Sequence, residues 1–103
     1  MSSLAFELRL VRAQIVDITD DTLTVDLSDG RTISVPLGWY PRLLSGNAQE
    51  RKNWRLIGQG QGIHWPDLDE DISVENLILG KSSGENQQSF KKWQESRTPS
   101  LKP

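Results

Sequence analysis

The chain has 103 residues, a length that corresponds to one domain with a modest core. It contains no cysteine, which excludes disulfides, thiolate nucleophiles and cysteine-ligated metals. The net charge of −2 hides an asymmetry, because residues 1–80 carry −5 and residues 81–103 carry +3. An acidic body of this kind argues against a nucleic-acid-binding domain.

The chain begins with an apolar run that Glu7 and Arg9 interrupt. A signal peptide needs an unbroken apolar stretch, so this run is not expected to act as one. No other segment approaches the roughly 18 apolar residues of a membrane span. We therefore predict a cytoplasmic protein.

Three strands are predicted in the first third of the chain, over residues 11–18, 22–27 and 31–36. The first is rich in β-branched residues, and the other two alternate apolar with polar side chains, as half-buried strands do. A three-residue loop over 28–30 would pair Val25 with Ile33 and Leu23 with Val35. A two-residue loop would set apolar residues opposite polar ones, so the sequence favours the longer loop.

The sequence of the middle of the chain predicts short helices, then short extended segments, then a last helix. Residues 38–44 form a helical turn, and Asn47 with Glu50 makes a capping box for a helix from Ala48 to about Trp54. Residues 55–57 and 63–65 are short extended pieces around a glycine turn at 58–62. Ser73 caps a last helix that ends at Gly80.

These elements predict an α+β fold, with a small antiparallel sheet in β-β-β-α-β-α order and short helices packed on one face. Residues 1–80 form the single domain, and residues 81–103 form a disordered, basic C-terminal tail. Phe90 and Trp93 lie three positions apart, so part of the tail could become helical on meeting a partner.

Two features of the segment 54–73 invite a chemical interpretation. His64 is the only imidazole, and Asp67, Asp69 and Asp71 alternate, so an extended backbone would project three carboxylates on one side. However, no serine is marked as a nucleophile, and negative charge before a helix N-terminus is favourable without a metal. We predict no catalytic, metal or cofactor site, and keep a small metal-dependent or His-dependent enzyme as the alternative.

Two signatures resemble a known bacterial family. They are GRTISVPLGWYPRL at residues 30–43 and WRLIGQGQGIHWPDLDEDISV at residues 54–74, and they resemble the family catalogued as domain of unknown function 2442. The resemblance covers about residues 11–80. It implies a small α+β domain with an antiparallel sheet, and an antitoxin-like or partner-binding role, because some relatives are encoded beside a second uncharacterised protein. Other relatives carry an added helix-turn-helix domain, for which this chain has no room. The resemblance implies no catalytic residues.

We predict a non-enzymatic module that binds another protein, encoded nearby. The predicted interface takes its aromatic and arginine anchors from the two signatures: Trp39, Tyr40, Arg42, His64 and Trp65. Whether Trp39, Trp54 and Trp65 are core or surface stays open at this point. A third reading is nucleic-acid binding by the tail, in which Lys91, Lys92 and Arg97 flank Trp93.

Overall fold

A computed structural model describes residues 11–97 and contains two antiparallel sheets of three strands each. The first sheet comprises β1 (Ala13–Ile18), β2 (Thr22–Leu27) and β3 (Thr32–Pro36); the second comprises β4 (Arg55–Ile57), β5 (Gly62–Trp65) and β6 (Glu70–Ser73). The helices are α1 (Pro41–Ser45), α2 (Ala48–Lys52), α3 (Val74–Leu79) and α4 (Gln87–Arg97). Short 3-10 turns occupy Leu37–Trp39 and Gly58–Gly60. The predicted α+β class is confirmed.

The first sheet has the predicted hairpin register. Val25 pairs with Ile33 and Leu23 pairs with Val35, in strand order β1-β2-β3. The loop is the three-residue one, since the Leu27 amide donates to the Arg31 carbonyl at 2.8 Å. Gly30 lies in the loop with φ 93, a conformation that a side chain would strain. Alternation and turn chemistry thus predicted this hairpin because both are local properties.

The second sheet was predicted only in part. Its strand order is β4-β5-β6, and in it His64 of β5 lies between Arg55 of β4 and Asp71 of β6. The sequence predicts one sheet and no strand over Glu70–Ser73. Glu70–Ser73 contains a single apolar residue, Ile72, so it lacks the alternation by which strands are recognised.

The core lies between the two sheets and the helices. The inward residues of both sheets are almost fully buried: Leu23, Val25, Val35, Ile63, Trp65 and Ile72. The predicted glycine turn brings the second sheet against β1. A Cβ atom on Gly60 would lie 3.0 Å from the Arg12 Cβ and 3.1 Å from the Ala13 carbonyl oxygen. A residue without a side chain at position 60 therefore permits this close approach between the predicted glycine turn and β1.

Two helix boundaries carry the predicted caps. The Asn47 side chain accepts from the Glu50 amide at 2.8 Å, and the Glu50 carboxylate accepts from the Asn47 amide at 2.9 Å, which is the predicted capping box. The helix ends at Lys52, two residues earlier than predicted. Ser73 caps α3 by accepting from the Asn76 amide at 3.0 Å, and Gly80 ends it with φ 75.

The segment predicted as a disordered tail contains an ordered helix. Residues 87–97 form α4, which differs from the prediction, and Trp93 on this helix is only 8% exposed. Burial of the indole against the domain supplies free energy that the polar composition of the segment did not indicate. Residues 98–103 of the predicted tail lie outside the described residues. So do residues 1–10, on which the signal-peptide argument depends.

None of the helices within residues 11–97 has the length and apolar character required to cross a membrane.

Candidate functional site

The structure removes two of the five predicted interface residues from the surface. Trp65 is fully buried and its indole N–H donates to the Arg51 carbonyl at 3.0 Å. Tyr40 is 2% exposed, and its hydroxyl donates to the Lys81 carbonyl at 3.3 Å. Both aromatic groups are core residues with their polar atoms satisfied inside the fold. The prediction that they form an interaction surface is therefore wrong for this structure.

Two of the remaining tryptophans are partly buried. Trp39 and Trp54 both pack at the margin of the core. The Trp39 carbonyl accepts from the Ser83 amide at 3.2 Å, so the segment after α3 crosses directly over this residue. Trp39 is thus in contact with the chain that leads to α4, and it does not stand free beside His64.

Arg42 of α1 is the hub of a charged cluster. Its Nε lies 3.0 and 3.1 Å from the two carboxylate oxygens of Glu85, and one Nη lies 2.6 Å from Glu85 Oε2. The other Nη donates to the Asp69 carbonyl at 2.8 Å. The guanidinium also lies over the Trp93 ring, 5.3 Å from its centroid. The hydrogen bond between the two groups raises the pKa of Arg42 and lowers the pKa of Glu85.

Glu70 lies beside this cluster and is the most perturbed carboxyl in the described part of the chain. Burial raises its pKa to about 7, with the neighbouring carboxylates adding to the effect and Arg42 opposing it. Burial also raises the pKa of Tyr40 to about 12, with a smaller contribution from Glu70. Trp65 and Glu70 are paired across β5 and β6, so the Glu70 side chain emerges on the core side of the sheet. That register, and not an apolar pattern in the sequence, places a carboxyl where water is scarce.

His64 projects from the opposite face of the second sheet. Its Nδ1 donates to the Asp71 carboxylate across the β5–β6 pair, and Arg55 is its cross-strand neighbour on the other side. A carboxylate on Nδ1 orients an imidazole, as it does in hydrolase active sites. A hydrolytic site also needs a nucleophile, and the Ser73 hydroxyl instead accepts from the Asn76 amide as a helix cap. The geometry therefore provides an imidazole oriented by Asp71, while Ser73 serves as a helix cap.

The three alternating carboxylates do not converge. Asp67 accepts from the Asn53 side-chain amide at 2.9 Å, Asp69 lies 3.5 Å from an Arg42 Nη, and Asp71 binds His64. Within the part of the chain that the structure describes, no three His, Asp or Glu side chains are grouped to hold a metal ion. The turn between β5 and β6 directs successive carboxylates to different partners, which an extended chain would not do.

The exposed side chains of β4 are a feature that the sequence analysis did not single out. All three residues of this strand are exposed, with Leu56 at 37% and Ile57 at 38%. Over residues 11–97, β5 is the only strand that pairs with β4, so β4 is an edge of its sheet. Its pattern of one charged and two apolar residues resembles any short buried strand, and only the fold shows that it lies at the surface.

Arg55 on this strand is also unusual in its lack of partners. Within residues 11–97 its guanidinium makes no hydrogen bond or ion pair. Every other arginine of that range has a carboxylate or carbonyl partner: Arg12, Arg31, Arg42, Arg51 and Arg97. We call Arg55, Leu56 and Ile57 the β4 surface. It combines an unpaired cation with two exposed aliphatic side chains on a strand edge.

Comparisons with known proteins give a family and two related structures. The family model described as protein of unknown function (DUF2442) matches residues 13–83. A crystal structure of a protein of unknown function from Rhodospirillum rubrum ATCC 11170 is 28% identical, with a TM-score of 0.62; the match covers 73% of this chain and 93% of that one.

The solution NMR structure of the uncharacterised protein CV0863 from Chromobacterium violaceum has a TM-score of 0.63, and the match covers 89% of each chain. Its 11% identity indicates a shared fold only. No curated protein matches the chain. Because the family model spans both sheets and helices α1 to α3, the chain belongs to the DUF2442 family of proteins of unknown function.

Proposed function

We propose that this protein is a non-enzymatic protein-binding module and that the β4 surface is its binding site. The observation that carries the proposal is that all three residues of the edge strand β4 are exposed, with more than a third of Leu56 and Ile57 open to solvent at 37% and 38%. Edge strands with free backbone groups are templates for pairing with another chain, and natural proteins usually protect them. Arginine is also among the residues that dominate the energetics of protein interfaces.

The chemistry of the β4 surface specifies the kind of partner. A strand edge accepts an extended segment through backbone hydrogen bonds, and alternate side chains of that segment supply specificity. Successive side chains of a strand point to opposite faces, so Arg55 and Ile57 share one face of β4 and Leu56 lies on the other. An added strand would therefore meet Arg55 with a carboxylate and Ile57 with an apolar side chain on the first face, and Leu56 with an apolar side chain on the second. The preferred partner is therefore a protein with an exposed, extended, apolar segment that contains Asp or Glu.

A co-purification experiment tests this proposal. The resemblance noted in the sequence implies a partner encoded nearby, so the tagged chain is co-expressed in the cytoplasm with the neighbouring gene product. Leu56→Ser and Arg55→Glu should each weaken the complex about 30-fold, which corresponds to the roughly 2 kcal/mol of an interface hot spot. Leu79→Ser is the matched control, because Leu79 is 48% exposed on α3.

Two results would count against the proposal. One is reproducible failure of the two folded proteins to co-purify. The other is a complex that the β4 variants and Leu79→Ser weaken equally, since that would place the interface elsewhere.

An antitoxin-like role is the narrower form of the proposal, and its support is the family resemblance alone. It requires the neighbouring protein to arrest growth when expressed without this chain, and growth to return on co-expression. Loss of that rescue in Leu56→Ser would connect the role to the β4 surface. A neighbour that is harmless by itself would rule out the antitoxin-like form while leaving protein binding intact.

A further inference from the structure

Helix α4 lies beyond the family domain but is docked on it. The family match ends at residue 83, whereas α4 spans Gln87–Arg97. Two ion pairs attach this segment to helices inside the match. Glu85 binds Arg42 of α1, and Arg97 lies 2.8 and 2.9 Å from the carboxylate oxygens of Glu50 in α2. Arg42 and Glu50 together define what we call the receptor face.

An aromatic anchor lies between the two ion pairs. Trp93 stacks on Phe90 with ring centroids 5.6 Å apart, and its indole is covered by both arginines. The Arg42 guanidinium lies 5.3 Å from the ring centroid and the Arg97 guanidinium lies 4.7 Å from it. Trp93 is 8% exposed, and it is the one residue of α4 that is buried. An arginine over an indole is a favourable cation–π contact.

Along the docked segment, two charges of the occupant each meet an opposite charge of the receptor face. The cation Arg42 meets the carboxylate Glu85, and the anion Glu50 meets the cation Arg97. The three anchors of the occupant, Glu85, Trp93 and Arg97, are eight and then four residues apart. Trp93 and Arg97 lie on α4, whereas Glu85 lies in the non-helical segment that leads into it. An occupant of this form is recognised by its charge order and by one aromatic side chain, as in other helix-in-groove complexes.

Docking of α4 depends on few contacts. The helix has 11 residues, a length that is marginal for an isolated helix in water. Its remaining side chains are largely exposed, and it is linked to α3 through residues 80–86, in which Gly80 and Gly84 have positive φ. Such an element opens at a lower free energy than the rest of the fold. Its release would uncover the receptor face without unfolding the sheets.

We propose that the receptor face is a docking site for a helix of a partner protein, and that α4 is a built-in competitor for this site. The partner helix carries a tryptophan and, four residues later, an arginine, and the segment that leads into this helix carries a carboxylate, as Glu85 precedes α4. Arg42 and Glu50 lie within the family match and α4 lies outside it. The chemistry by which the receptor face recognises a helix therefore belongs to the family domain. The inference is independent of the β4 surface.

A tethered competitor has a measurable consequence. A short flexible connection holds α4 at an effective concentration in the millimolar range, so a helix supplied in trans binds only weakly to the intact chain. The apparent affinity of the added helix equals its intrinsic affinity multiplied by the fraction of molecules in which the site is open. Substitutions in α4 that weaken its docking, with Arg42 and Glu50 unchanged, should therefore increase the binding of a helix supplied in trans.

The test uses the full chain and a fluorescently labelled peptide of residues 84–97. Trp93→Ala in the chain removes the anchor of α4 but leaves the receptor face intact. Fluorescence anisotropy should show the peptide binding to this variant at least about 100-fold more tightly than to the wild-type chain. Arg97→Ala is a second releasing variant, since it breaks the pair with Glu50 and keeps the tryptophan.

Two controls assign the binding to the receptor face. A peptide that itself carries Trp93→Ala should fail to bind the opened chain. The chain with both Arg42→Ala and Trp93→Ala should fail to bind the unaltered peptide. The indole N–H resonance of Trp65, which donates to the Arg51 carbonyl, reports whether each variant keeps its fold.

Three outcomes would overturn the inference. The first is no gain in peptide binding when α4 is released from a folded chain. The second is equal binding by the opened chain and by the Arg42→Ala control, which would show that the receptor face is not the site. The third is a stable dimer of the wild-type chain with exchanged α4 helices, detected by light scattering and lost in Trp93→Ala. That result would make a second copy the occupant in place of a partner protein.

Discussion

Replacing Glu70 with glutamine should make the protein more stable at alkaline pH and leave it nearly unchanged at mildly acidic pH. Burial raises the pKa of Glu70 from 4.5 to about 7. A carboxyl whose pKa is raised by folding contributes stability below its unfolded pKa, and that contribution is lost as the pH rises through the folded value. Glutamine resembles the protonated form at every pH, so Glu70→Gln should remove this pH dependence.

The size of the effect follows from the shift. A change of one pKa unit corresponds to 1.36 kcal/mol, so a pKa of about 7 in place of 4.5 corresponds to about 3 kcal/mol at most. This free energy is lost as the pH rises from the unfolded pKa of 4.5 to the folded pKa of about 7, where the unfolded carboxyl is ionised and the folded one is not, so most of the loss falls between pH 5 and pH 8. At pH 8 the free energy of unfolding of the wild-type chain should therefore be lower than that of Glu70→Gln by roughly 2 to 3 kcal/mol.

Urea unfolding at pH 5 and pH 8 measures the difference. Glu50 and Glu85 have lowered pKa values and contribute stability that is lost on acidification, but they are present in both chains and cancel. Coincident transitions by tryptophan fluorescence and circular dichroism establish two-state unfolding. Glu95→Gln, at an exposed position in α4, is the matched control and should not change the difference between the two pH values.

One result would refute this reasoning. If Glu70→Gln destabilises the chain at pH 8, then folding favours the ionised form of Glu70 through Arg42 and does not raise the pKa of this carboxyl. The electrostatic attraction of Arg42 would then exceed the cost of burial, the reverse of the order argued here.

Three further predictions concern stability and are measured by urea or thermal unfolding. Trp65→Ala should lower the free energy of unfolding by roughly 3–5 kcal/mol, because Trp65 is fully buried. Trp39 is only partly buried, so a loss in Trp65→Ala no larger than that in Trp39→Ala would contradict the place of Trp65 in the core. Gly60→Ala should destabilise the chain, since Gly60 has φ 92 and lies against β1, whereas Gly38→Ala meets no atom within 4 Å; equal losses would show that the close approach is absent. Asn47→Ala removes one half of the capping box and should cost about 1 kcal/mol, while no loss would mean that water caps α2 equally well.

Local chemistry in the sequence was sufficient for several elements. The alternation in β2 and β3, with Gly30 in the loop, determined the hairpin and its register. Asn47 and Ser73 marked the starts of α2 and α3, and Gly80 marked the end of α3. These features depend on residues within about one helical turn or one strand pair of each other, so their physical causes are visible in a linear sequence. The family was recognisable for a related reason, because its two signatures are contiguous.

The candidate sites were decided by the tertiary structure. Trp65 is core and Leu56 is exposed, although both stand in short extended segments of mixed composition. What separates them is position in the second sheet, where β5 is the central strand and β4 is an edge. In the same way, Trp93 lies in a polar segment and is buried because α4 docks on the domain, where Trp93 joins the hydrophobic core and Arg42 of α1 covers its ring. Burial and ion pairing depend on residues that are distant along the chain, and a local pattern carries no record of them.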